Sequence, residues 1–242
     1  MIDIRGLQTF SLIDYPGKIS CIVFTGGCNF RCPFCHNPCL VFDPSSQPRV
    51  TEPQFFHFLE SRKRRLDGVV ISGGEPTLHE DLPDFAAKVR GEGFLVKLDT
   101  NGSHPEVLER MLKDSLLNAF GIDYKAPAAK YAELTNVDDP ELPARVRRSL
   151  ELAVASGLEL DVRTTVHRCL LSAEDLAEMY RELKSFGVKR WVLQQYNPVE
   201  VIDDELSAQP TYSDLELIRM AEALGTDVHV RGLTGRILNL NV

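Results

Sequence analysis

The sequence predicts an α/β fold, a partial (βα)6 barrel of the TIM type, and three observations carry that prediction. Short β-rich apolar runs alternate with helical patterns along most of the chain. Six such runs occur, fewer than the eight of a closed barrel. Polar and glycine-rich residues gather just after the runs, where the C-terminal ends of parallel strands collect ligands. Strict alternation implies parallel strands joined by right-handed crossovers, and an open doubly wound sheet fits the same string.

The elements follow in order. Residues 20–24 (SCIVF) read as the first strand, and 68–72 (GVVIS) as the second, stopped by Gly73 and Gly74. Residues 94–98 form the third, ending at Asp99-Thr100-Asn101-Gly102, and 119–123 the fourth, in spite of its glycine. Residues 158–166 alternate cleanly as the fifth, and 190–196 make the sixth. Helical patterns fill the gaps at 52–65 behind a Thr51 cap, then at 81–90 and 105–113. Further patterns run over 140–156 behind Asp139, over 173–186 behind Ser172, and over 213–224.

At 242 residues the chain is expected to be a single domain, residues 1–242. Within it, 1–19 is an N-terminal extension, 20–200 the barrel core, and 201–242 a C-terminal helix and tail. The composition, 43% hydrophobic and 26% charged, is that of an ordinary folded protein. A formal charge of −8 speaks against broad nucleic-acid binding. The run Arg62-Lys63-Arg64-Arg65 is better read as a solvated end of a helix than as a phosphate-binding patch. No basic segment followed by an apolar one opens the chain, and no apolar stretch approaches the ~20 residues of a membrane span. A cytoplasmic protein is expected.

Of six cysteines, four lie between Cys28 and Cys39, and in a reducing compartment such a cluster points to metal or catalysis. Cys28, Cys32 and Cys35 are spaced C-x3-C-x2-C on the loop after the first strand. One short loop can wrap three thiolates around an iron–sulfur cubane and leave the fourth iron open to a small chelating molecule. Structural zinc wants a closed set of four ligands, which Cys39 or His36 would have to complete. Cys21 and Cys169 read as buried apolar thiols.

This spacing, so placed, resembles the signature of the radical S-adenosylmethionine (SAM) superfamily. The resemblance implies a [4Fe–4S] cluster on Cys28, Cys32 and Cys35 whose open iron binds the amino and carboxylate groups of SAM. Reductive cleavage of SAM then yields methionine and a 5′-deoxyadenosyl radical, with no catalytic side chain beyond the cluster. Phe34 matches the aromatic position that lies against the adenine. Ser72-Gly73-Gly74-Glu75-Pro76 resembles the GGEP motif, which implies Gly73, Gly74 and Glu75 in SAM binding. Bottom-up, two glycines let backbone pass close to a ligand, and exposed strand-end carbonyls accept from an ammonium.

Asp99-Thr100-Asn101-Gly102 and Asp123-Tyr124-Lys125 resemble segments of glycyl-radical activating enzymes. They imply cofactor contacts from Asp99, Asn101 and Asp123, and a monovalent cation held by Asp99, Thr100 and Asp123. Oxygen-rich sets do suit hard cations. Arg163 falls where the family places a basic residue near SAM, and a structural ion pair inside the barrel is the alternative. Gln194, Tyr196 and Asn197 are left open as contacts of SAM or target. His36 is expected to pack near the adenine.

The Asp14-Tyr15-Pro16-Gly17 and Cys35-His36-Asn37-Pro38 flanks narrow the likeness to activating enzymes of glycyl-radical proteins, above all that of the anaerobic ribonucleoside-triphosphate reductase. That likeness implies an oxidoreductase that takes a hydrogen atom from a backbone glycine of a partner, with a flavodoxin or ferredoxin as electron donor. Too few cysteines remain for auxiliary clusters. A small-molecule radical enzyme resembling the deazaguanine-forming synthases, and a zinc or redox adaptor, are the competing readings.

Overall fold

The apolar runs become one eight-stranded sheet whose strands lie side by side in chain order. The computed structural model describes residues 1–199 and 201–233. Its strands are β1 (Ile4–Ser11), β2 (Ser20–Thr25), β3 (Gly68–Gly73), β4 (Leu95–Thr100), β5 (Ala119–Asp123), β6 (Glu159–Val166), β7 (Trp191–Gln195) and β8 (Val228–Arg231). The helices among the described residues are α1 (Pro38–Phe42), α2 (Glu52–Ser61), α3 (Leu82–Gly91), α4 (Pro105–Lys113), α5 (Tyr131–Thr135), α6 (Leu142–Ser156), α7 (Ala173–Ser185), α8 (Asp204–Ala208) and α9 (Asp214–Leu224). None is long and apolar enough to cross a membrane.

Strands β2 to β8 are all parallel, and β1 closes on β2 antiparallel. Sequential order decides between the two architectures that the string allowed. A doubly wound sheet reverses its order at a switch point, whereas unidirectional right-handed crossovers put every helix on one face and curl the sheet toward a barrel. The edge strands β1 and β8 are not paired with each other, so the barrel is partial.

Two strands beyond the six expected complete the sheet. β1 lies within the expected N-terminal extension, and the exposure of its residues is irregular. β8 is four residues with a histidine and an arginine, too short to stand out. The predicted tail beyond residue 233 lies outside the described residues.

Local chemistry sets the helix starts. Thr51, Ser172 and Ser213 cap α2, α7 and α9 through reciprocal bonds with Gln54, Asp175 and Glu216. α6 begins at Leu142, later than Asp139 implied, because Asp139 instead turns the chain by accepting from the Glu141 N–H at 2.9 Å. α2 stops at Ser61, and the basic run follows it, with Arg62 stacked 5.3 Å over Phe58.

Period-two alternation divides the strands between two faces. Val23, Val69, Ile71, Val96, Leu98, Phe120 and Ile122 face the helices, against Phe55, Phe85, Leu108 and Val146. Burying each such side chain contributes about 1.5–3 kcal/mol. On the inner face Ile22, Val70 and Ala119 form a separate apolar floor closed by Tyr15. Above that floor the inner face turns charged: Lys97, Asp99, Asp123 and Arg163. The site stands on this change.

Candidate active site

The loop from Gly26 to Asn37 carries the three thiols without regular structure, so its backbone must be satisfied elsewhere. Gly26 N–H donates to Asp3 O (3.0 Å), Gly27 N–H to Leu40 O (2.8 Å) and Arg31 N–H to Thr135 O (2.8 Å). The Arg31 guanidinium donates to the carbonyls of Cys28 (2.7 Å) and Phe30 (2.8 Å), binding the loop to itself. Cys32 is buried, and Cys28 and Cys35 are half-buried.

Burial pushes the Cys28 thiol up to about 11 and Cys32 up to about 12, and it raises Cys35 as well. The free chain therefore holds protonated thiols that release protons when metal binds. The Phe30 N–H donates to Cys28 Sγ at 3.4 Å, a contact suited to a thiolate. Three soft donors on one loop around an open pocket are the donor set of a cubane with one free corner. The residues fit that cluster.

The four-ligand zinc alternative is not assembled. Cys39 on α1 is exposed and does not line the pocket, whereas His36 lines it beside the thiols, its Nδ1 3.3 Å from Val199 O. Among the described residues no three His, Cys, Asp or Glu side chains converge on a single-ion site.

Opposite the thiols lies the turn that ends β3. The two glycines there allow a close approach, and the nearest backbone is the chain's own. A Cβ on Gly73, whose φ is +121°, would fall 2.2 Å from Thr25 N, and one on Gly74 only 1.8 Å from Gly27 O. The pair lets the end of β3 press against the root of the cluster loop while still lining the pocket.

Glu75 differs from expectation: it does not line the pocket and is fully buried. Its Oε1 accepts from Thr77 N–H (3.0 Å), Thr77 Oγ1 and Thr100 Oγ1 (2.7 Å), and its Oε2 accepts from Asn101 N–H (2.7 Å). The carboxylate is a strut between the turns ending β3 and β4. Asn101 extends the brace by donating to Asn29 Oδ1 (2.9 Å), and Asn29 donates to Ser103 Oγ (3.0 Å). The cluster loop is thereby fixed to both turns.

Below the rim the charged groups pair. Arg163 donates from Nη1 to Asp99 Oδ2 (2.9 Å) and from Nε to Asp123 Oδ1 (3.0 Å). Lys97 donates to Asp99 Oδ1, and Lys125 to Asp123 Oδ2 at 3.5 Å. Burial would raise both carboxyls, but Arg163 with Lys97 or Lys125 prevails and lowers them, Asp123 to about 2. Every carboxylate oxygen of the expected cation set faces a cation of the chain itself, and the Thr100 hydroxyl proton goes to Glu75. These residues do not fit a further metal cation.

The structure gathers Cys28, Cys32, Cys35, Phe34, Gly73, Gly74, Asp99, Thr100, Asn101, Asp123 and Arg163 around one open cavity of about 290 Å³. Gln194 joins them and accepts from Arg231 (2.8 Å), whereas Tyr196 turns inward, edge-on to His167. Lys125 and Asp14, members of two of the motifs but given no role of their own, also line it, as do Thr165 and Arg231, which the sequence did not mark. Strand parity points to Thr165, two residues beyond Arg163 on the same face. Lys125 lies 5.5 Å from the Phe34 ring centre, over the ring expected to meet an adenine. Cys21 is buried as expected, but Cys169 is exposed, because it follows β6 in a turn rather than lying within the strand.

Comparison with known proteins agrees with this geometry. The family model described as the Radical SAM superfamily matches residues 22–183. A Methanocaldococcus jannaschii protein with the provisional name glycyl-radical enzyme activating enzyme is 33% identical over 217 residues, 88% of each chain. The pyruvate formate-lyase-activating enzyme of Listeria monocytogenes is 31% identical over 116 residues, 45% of this chain and 46% of that enzyme. In fold, the Streptococcus suis protein SuiB, solved with its precursor peptide SuiA, superposes with a TM-score of 0.66 at 16% identity. That match covers 87% of this chain and about half, 48%, of SuiB.

Proposed function

The chain belongs to the radical SAM superfamily, and we propose that within it the protein activates a glycyl-radical enzyme, the anaerobic ribonucleoside-triphosphate reductase. Membership implies a [4Fe–4S] cluster and SAM, which when bound supply reductive SAM cleavage and a carbon-centred radical able to abstract hydrogen. The chain's own residues do the rest. Cys28, Cys32 and Cys35 would hold the cluster, and Arg31 and Asn29 fix their loop. Gly73 and Gly74 present strand-end backbone to an ammonium, and Arg163 and Lys125 supply positive charge for a carboxylate.

One observation carries the choice of a protein substrate. The pocket continues to Asp14, and the segment leading to Asp14 exposes Phe10, Leu12 and Ile13. Apolar side chains exposed on a segment that reaches an open pocket suit docking of a macromolecule better than capture of a small polar one. The names of the two activating-enzyme relatives support the same reading. A flavodoxin or ferredoxin would deliver the electron.

The test is anaerobic. Reconstituted protein is given reductant, SAM and the reductase, and the expected result is a glycyl-radical doublet by electron paramagnetic resonance, with 5′-deoxyadenosine formed. SAM cleavage without that doublet would refute the activase role and leave the superfamily membership intact.

A further inference from the structure

We propose that Lys97 is the resident cation of this site: its ammonium takes the place beside Asp99 that a monovalent metal ion would fill, so the chain handles SAM without one. Lys97 and Asp99 are two residues apart on β4 and so share the inner face of the sheet. Lys97 is 1% exposed, and a buried ammonium is tolerated only against a carboxylate. It donates to Asp99 Oδ1, while Oδ2 of the same group is held by Arg163 at 2.9 Å.

The neighbouring strand leaves room for this pair. Gly121 on β5 lies opposite Asp99 in the register. A Cβ there would fall 2.2 Å from Asp99 Oδ1 and 2.9 Å from Lys97 Nζ. The missing side chain forms the hollow in which ammonium and carboxylate meet. Charge agrees with geometry. Lys97, Lys125 and Arg163 against Asp99 and Asp123 leave one net positive charge, enough to receive a carboxylate. A metal cation added beside Asp99 would meet two positive groups already bound to it. Lys97 does not line the pocket, so it is a positioning residue acting through Asp99.

The experiment compares SAM binding to the cluster-loaded protein by equilibrium dialysis, in potassium chloride and in choline chloride of equal ionic strength. Wild type is expected to bind equally, within twofold, in both salts. Lys97→Met is expected to lose at least tenfold in choline and to regain most of it in potassium, while Lys97→Arg remains indifferent to the salt. Thermal melting of the cluster-free chain gives a second readout that needs no SAM: potassium should raise the midpoint of Lys97→Met and not that of wild type. Wild type that needs potassium overturns the proposal, and so does a Lys97→Met variant equally weak, or equally strong, in both salts. Should Lys97→Met not fold, wild type and Lys97→Arg still decide it: salt dependence in either refutes a resident ammonium. Failure of wild type to bind SAM in any salt would count against the SAM reading instead, and melting would still judge Lys97.

Discussion

Glu75 and Asp99 sit at the ends of adjacent strands, both buried, yet their surroundings are opposite in kind. Glu75 is surrounded by neutral donors, two backbone N–H groups and two hydroxyls, that come from two turns. Asp99 is surrounded by cations, Lys97 and Arg163. A carboxylate held by neutral donors on separate segments fixes where those segments lie, because each bond has a direction and a length. A carboxylate among cations sets the local charge instead, and its partners can adjust. The rim of the pocket is thus a scaffold and its inner wall an electrostatic surface, built side by side on one sheet.

The largest test of that distinction removes the strut. Glu75→Ala leaves four donors without their acceptor in a site that excludes water, and the free energy of unfolding should fall by roughly 3–4 kcal/mol. Iron retained after reconstitution should fall with it, since Asn101 and Asn29 tie the cluster loop to the same turn. Chemical denaturation and iron analysis read both. If Glu75→Ala kept its stability and iron but lost SAM binding, Glu75 would be a ligand-facing group and the contrast would collapse.

A smaller effect is expected from Gly74→Ala, which probes the scaffold at a backbone contact, where Gly27 O accepts from the Glu75 N–H at 2.8 Å. The added methyl would meet Gly27 O at 1.8 Å and push the end of β3 away from the cluster loop. Backbone on both sides must shift, at a cost of about 1–3 kcal/mol. SAM affinity of the loaded protein should drop while the helix content in circular dichroism stays the same. An alanine variant with unchanged SAM binding would show that this contact does not shape the pocket.

The sequence made the parallel core legible because those strands are short apolar runs, as in β3 where Gly68–Gly73 holds three β-branched residues and ends at glycine, with Thr51 and Ser172 marking helix starts. Helix α4 appears at the predicted bounds, 105–113. β1 and β8 were not legible: β1 buries its side chains irregularly, so no period-two pattern results, and β8 has only four residues. In the site, loop residues declared themselves by spacing. Partners did not. Strand parity puts Lys97 on the face of Asp99, but that the two meet in the hollow at Gly121 depends on the neighbouring strand. That Glu75 is a strut depends on strand order too, which linear spacing does not carry across the 25 residues separating Glu75 from Thr100.

The electrostatic wall makes the gentlest prediction, a displacement along the pH axis. Burial pushes the Asp99 and Asp123 carboxyls upward, and the cations beside them pull harder, so both end below the ordinary carboxylate range. Between an unfolded value of about 4 and the lower folded value, the unfolded chain binds more protons than the folded one. The stability these groups contribute is therefore present above about pH 4 and fades as pH falls toward 2. Asp99 is the better reporter, because Asp123 is 39% exposed and its pairing is partly screened by water. Arg163→Met removes the guanidinium common to both, leaving burial less opposed, and the acid loss should begin at a higher pH than in wild type. Melting midpoints measured from pH 3 to pH 7 for the two proteins test this. Superimposable profiles would mean that Arg163 does not set the charge of this wall, and that the strut and the wall differ less than their partners imply.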